Sequence, residues 1–227
     1  MSYPLRLRLL LITAVLGLAL APAAHATDGV VLINQATSLN GLPGCGSSGF
    51  PIVICQPGSY RLAGNLVVAA AAANGIEIEA SHVTLDLNGF TLEAAGDAAT
   101  GTGILDAHGL PVDDLTVENG TVAGFQNGIA FSSPSHSAVL RSLVVEAGEV
   151  GAALARGSVL DCHIYGAGVG LLFTSGPGLV LRNFLEAAGN DFALAALGNI
   201  AYGDNVIAGG LNGGVSLGTN ACNGTRC

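Results

Sequence analysis

The sequence predicts an all-β protein, a right-handed parallel β-helix of about seven to eight coils with three short strands per coil and an N-terminal cap. Three observations carry that reading. A motif recurs roughly every 20 residues, the apolar residues come in strand-length pieces broken by Gly and Asn, and small polar residues return at one offset of the repeat.

Residues 1–26 are read apart from the fold. Arg6 and Arg8 precede an apolar run over residues 9–21, and Ala24-His25-Ala26 is a small-x-small cleavage site. This is the pattern of a secretory signal peptide cut after Ala26, so the chain is expected to be secreted or periplasmic. No later stretch is long and apolar enough to predict a membrane span. Beyond residue 26 there are 16 acids against 5 arginines, and no lysine. Such a surface argues against nucleic acid or an anionic membrane as partner.

Residues 27–57 are expected to form the cap. The apolar residues Val30, Val31, Leu32 and Ile33 precede a Gly/Ser/Pro-rich loop flanked by Cys45 and Cys55. Export permits disulfides, and proximity pairs Cys45 with Cys55 and Cys222 with Cys227. The second pair would clip the chain end over residues 219–227. Neither pair has histidines at ligand spacing, which argues against zinc.

The β-helix itself is read over residues 58–218. Its motif is a small or polar residue, Gly, then an apolar strand: Asn74-Gly75-Ile76, Thr102-Gly103-Ile104, Asn127-Gly128-Ile129, Val150-Gly151-Ala152, Val169-Gly170-Leu171, Phe192-Ala193-Leu194 and Gly213-Gly214-Val215. Two further apolar stretches follow each motif, separated by a polar turn residue. The turn column reads Asn119, Ser142, Cys162, Asn183 and Asp204, a stack of small hydrogen-bonding side chains at a sharp corner. In that stack Cys162 needs no thiol chemistry. One position earlier, Glu118, Arg141, Asp161 and Arg182 alternate in sign and are expected to point outward, with Val117, Leu140, Leu160 and Leu181 inward.

Three segments carry a family resemblance: Pro57-Gly58-Ser59-Tyr60-Arg61-Leu62-Ala63-Gly64-Asn65-Leu66, Val83-Thr84-Leu85-Asp86-Leu87-Asn88-Gly89-Phe90-Thr91-Leu92 and Leu115-Thr116-Val117-Glu118-Asn119-Gly120-Thr121-Val122. They resemble the opening coils of right-handed β-helix repeat proteins of the pectin-lyase-like superfold, close in style to its carbohydrate-binding and sugar-hydrolase module. The resemblance covers about residues 56–218 and implies the fold. It implies little about activity, because the superfold holds lyases, hydrolases, epimerases and exported proteins without a known reaction.

Sugar-cutting members work from charged outward positions over one parallel sheet. The outward column of the first strand here reads Glu77, Leu105, Ala130, Ala153, Leu172, Ala195 and Ser216, nearly bare of acids and bases. One constellation remains. His82, Asp106, His108, Asp113, Asp114 and His136 fall in successive loops after the first strand. Stacking would gather them on one edge, where Asp106, His108 and His136 could act as acid and base. Asp106, His108, Asp113 and Asp114 could hold a divalent cation. The bland alternative is a set of solvated loop residues.

Two functions follow as expectations. One is a non-catalytic exported β-helix that binds polysaccharide or serves at the cell surface, with no cofactor. The other is a polysaccharide lyase or epimerase acting on an acidic glycan, for which calcium would be the cofactor. The smooth apolar outer sheet also invites self-association.

Overall fold

The computed structural model describes residues 29–46, 48–96, 100–107, 112–131, 137–189 and 191–227. It is a parallel β-solenoid with three faces, and the one helix among the described residues is Thr37–Asn40. The first face stacks Ile52–Ile54, Ile76–Ile78, Thr102–Asp106, 127–131, 150–154, Val169–Phe173, Phe192–Ala196 and Gly210–Asn212. The second begins with Val31–Ile33 and continues through Gly58–Leu62, Val83–Asp86, 115–118, 138–141, Gly157–Leu160, Gly178–Leu181, Ile200–Gly203 and Val215–Ser216. The third carries Leu66–Val68, Thr91–Ala94, 121–123, 144–147, His163–Gly166, Phe184–Ala187, Val206–Ala208 and Ala221–Cys222. The solenoid has about six turns, slightly fewer than the seven to eight coils expected from the repeat.

The repeat exists because the chain passes close to itself. A Cβ on Gly75 would stand 2.5 Å from the Gly103 carbonyl oxygen, and one on Gly103 would stand 2.6 Å from that of Gly128. No side chain fits there, so glycine opens the first face in coil after coil. Immediately afterwards Ile76, Ile104, Ile129, Ala152, Leu171 and Leu194 line the interior, all fully buried. Burial of each Leu or Ile contributes roughly 1.5–3 kcal/mol.

The last motif departs from the expected register. Gly210–Asn212, not Gly213-Gly214-Val215, forms the final rung of the first face, with Leu194 paired to Leu211 and Ala195 to Asn212. Val215 lies on the second face opposite Ala201 and is 66 % exposed, while Ser216 pairs with Tyr202. The closing coil is shorter than the others, so the Gly-Gly that resembles the motif is its corner.

The corner between the second and third faces is two columns, not one. Asn119, Ser142, Asp161, Arg182, Asp204 and Thr219 occupy it with φ between 53° and 59°. The next position turns inward and reads Gly120, Leu143, Cys162, Asn183, Asn205 and Asn220 along the same register. The expected turn stack therefore slips by one residue at Cys162 and Asn183. The inward asparagines hydrogen-bond to the backbone of neighbouring coils. Asn183 Nδ2 donates to Val159 O at 2.9 Å, Asn205 Nδ2 to Val180 O at 3.0 Å, and Asn220 Nδ2 to Tyr202 O at 3.3 Å. The Oδ1 of Asn205 accepts Asn183 N, and that of Asn220 accepts Asn205 N.

The same slip corrects the charge column. Glu118 and Arg141 share a rung position and pair at 2.8 Å, but Asp161 and Arg182 belong to the corner and form their own bidentate pair at 2.7 and 2.9 Å. Val117, Leu140, Val159 and Val180 are the inward residues, fully buried, while Leu160 and Leu181 lie on the outside of the sheet.

Each end carries a disulfide. Val31–Ile33 is itself a rung, so the stacked region starts before residue 58. The Cys45–Cys55 disulfide ties the following loop against the first coil, and Cys222–Cys227 secures the final turn. There Thr225–Arg226 runs antiparallel to Ala221–Cys222, the one strand pair among the described residues that is not parallel.

Candidate functional site

The histidine–aspartate edge does not assemble as expected. Asp106 pairs with Ile78 in the inward column of the first face and is only 7 % exposed, so its carboxylate belongs to the interior and not to the edge. The cause is strand parity: Ile104 and Asp106 are two residues apart, so both point inward. Asp113 organises backbone. Its Oδ1 accepts Asp114 N at 2.9 Å and Ser137 N at 2.7 Å, while its own N donates to Ser81 Oγ at 3.0 Å. Asp114 meets His82 of the preceding coil at 3.0 Å, with both side chains largely exposed. His108 and His136 lie outside the described residues. Among the described residues no group of three or more His, Cys, Asp or Glu is arranged to hold a metal ion.

The first face carries the outward column read from the sequence: Glu77, Leu105, Ala130, Ala153, Leu172 and Ala195 stand in register. It is apolar over most of its length. Glu77 is its one acid, and burial followed by the charge of Glu79 raises its pKa above the ordinary carboxylate range.

Chemistry-bearing side chains gather instead on the outside of the third face. One outer column reads Glu93, Ala123, Glu146, Tyr165 and Glu186, the next Thr121, Val144, His163, Phe184 and Val206. Because inward Val145, Ile164 and Leu185 alternate with them, each of these residues is forced outward. Tyr165 thus sits one rung from a carboxylate on either side. His163 meets Phe184 edge to face, with ring centroids 4.7 Å apart, and approaches Glu186 at 3.7 Å. A cavity of about 420 Å³ opens beside this stripe at the corner leading back to the first face, lined by Glu146, Tyr165, Phe125 and Gly148 among others.

The sequence reading did not single out this stripe, although its signal was present. Val144-Val145-Glu146, His163-Ile164-Tyr165 and Phe184-Leu185-Glu186 repeat the same outward–inward–outward pattern.

Chemically, the stripe offers aromatic faces for apolar C–H surfaces and carboxylates that accept hydrogen bonds from hydroxyls. Comparison with family models, with curated proteins and with solved structures gives no match.

Proposed function

We propose that the chain is an exported, non-catalytic β-solenoid that binds an extended neutral polysaccharide along its third face, and that its fold is a distant form of the pectin-lyase-like superfold. The observation that carries the binding reading is the placement of Tyr165 between Glu146 and Glu186, beside the His163–Phe184 pair. Rungs lie about 4.8 Å apart, close to the length of one sugar residue in an extended glycan, so successive residues can meet successive rungs. Aromatic rings take the C–H faces of the sugars and the carboxylates take their hydroxyls. A formal net charge of −9 and acids within the stripe disfavour an acidic polymer.

Export is supported by the N-terminal pattern of residues 1–26 and by two disulfides, which persist in oxidising compartments. The alternative of a lyase or epimerase that uses calcium draws no support from Asp106, which is turned into the core.

Isothermal titration of the protein lacking residues 1–26 against neutral glucan, mannan and galactan oligosaccharides tests the reading. Tyr165→Ala should weaken binding several-fold, since an aromatic contact is worth about 0.5–1.5 kcal/mol, and leave the melting temperature unchanged. Equal affinity of Tyr165→Ala and the unaltered chain would sink the assignment of this face. New reducing or unsaturated ends in the mixture would instead make the protein an enzyme.

A further inference from the structure

Arg156 is set apart from most other arginines of the fold. Arg61, Arg141 and Arg182 each meet a carboxylate. Arg156 has no such pair among the described residues, and its Nε is buried without a hydrogen-bond partner there. The side chain lies over Gly176, where a Cβ would stand 2.8 Å from that Nε. Placed so, Arg156 lines a cavity of about 370 Å³ at the corner between the first and second faces, together with Ser137, Ser158 and Leu179. A second cavity of about 580 Å³, lined by Asn199, Ile200, Ala201 and Val215, shares Pro177 and Gly178 with the first. The two adjoin as one groove in which apolar surface predominates, with Arg156, Ser137 and Ser158 at one end and Ile200, Ala201 and Val215 at the other. At that second end Val215 is 66 % exposed.

We propose that this groove binds an aliphatic carboxylate, with its head group on Arg156 and its chain along Ile200 and Val215. A planar guanidinium matches a carboxylate in two parallel hydrogen bonds, and Ser137 and Ser158 supply hydroxyl donors beside it. Among the described residues that line the Val215 end there is no cation to receive a second negative charge, and the chain as a whole is acidic. Those facts together select a ligand with one anionic end and an apolar body over a polyanion. The site lies on a different edge from the third-face stripe and stands whether or not that face binds glycan.

Isothermal titration with octanoate, octanol and acetate separates head from tail. Octanoate should bind at least tenfold more tightly than either of the others. Arg156→Gln should remove its advantage over octanol while leaving octanol binding and the melting temperature unchanged. Equal binding of octanoate and octanol, or undiminished octanoate affinity in Arg156→Gln, overturns the proposal. Should Arg156→Gln fail to fold, Val215→Asp gives a second test: a carboxylate beside the tail should weaken octanoate at least fivefold, and unchanged affinity again overturns it. Light scattering in which Val215→Asp converts a dimer to a monomer, with octanoate inert, would assign the groove to a second copy of the chain and refute the ligand.

Discussion

Asn183 Oδ1 accepts the backbone N–H of Cys162 at 2.9 Å, so Cys162 heads the buried ladder that continues through Asn183, Asn205 and Asn220. The Cys162 thiol hydrogen-bonds to the backbone at Leu143 and Leu160, partly doing the work an asparagine does one coil below. Cys162→Asn is expected to extend the ladder and raise stability by about 0.5–1 kcal/mol. Asn205→Ala removes a donor to Val180 O and an acceptor for Asn183 N, both buried, and should cost about 2–4 kcal/mol. Urea unfolding of the two variants checks both signs. A stabilised Asn205→Ala would contradict the ladder's role.

Burial pushes the Cys162 thiol up to about 11. At pH 8 the folded protein should therefore resist a thiol-specific disulfide reagent and react fully once unfolded in guanidinium. The raised value contributes stability that is present below the unfolded thiol pKa of about 8.5 and is lost as pH rises toward 11. Cys162→Ala should flatten that alkaline decline in melting temperature.

Asp161 behaves in the opposite sense. Its hydrogen bonds from Arg182, with the Arg182 charge and then that of Arg141, hold its carboxyl below the usual range. A depressed folded pKa contributes stability above the unfolded value of about 3.9, lost as pH falls through the folded one. The pair is about half exposed, so solvent screening keeps the effect small. Melting temperatures between pH 6 and pH 2 should fall less steeply on the acid side in Arg182→Gln than in the unaltered chain, and an identical slope would count against the pairing.

Gly103→Ala places a methyl group 2.6 Å from the Gly128 carbonyl and against Val122 and Phe125. Overpacking of this kind costs about 1–3 kcal/mol. Gly64→Ala is the matched control, since nothing lies within 4 Å of its Cβ position. Calorimetry should show a lowered melting temperature for the first and little change for the second.

These residues also show what the sequence made legible. The solenoid could be read because Gly75, Gly103, Gly128, Gly151 and Gly170 recur at one place in successive coils where the next backbone passes too close for a larger side chain. The corner was harder. An exposed left-handed position accepts Asp161 and Arg182 when they pair across rungs, so its occupants share no chemistry, whereas the buried asparagines one residue later look like the expected turn column. Coils of unequal length then hid the slip at Cys162 and Asn183. The third-face stripe was visible as an alternation of residues but not as a site, because Glu146, Tyr165 and Glu186 are about 20 residues apart in sequence and meet only through register. Asp106 illustrates the reverse: it lies near His108 and Asp113 along the chain, yet strand parity turns it into the core.

At the C-terminal end, Thr225–Arg226 doubles back on Ala221–Cys222, and Cys222–Cys227 fixes that reversal. A strand added in parallel over the last rung of the third face would therefore meet a two-residue segment running the opposite way and held by a covalent bond.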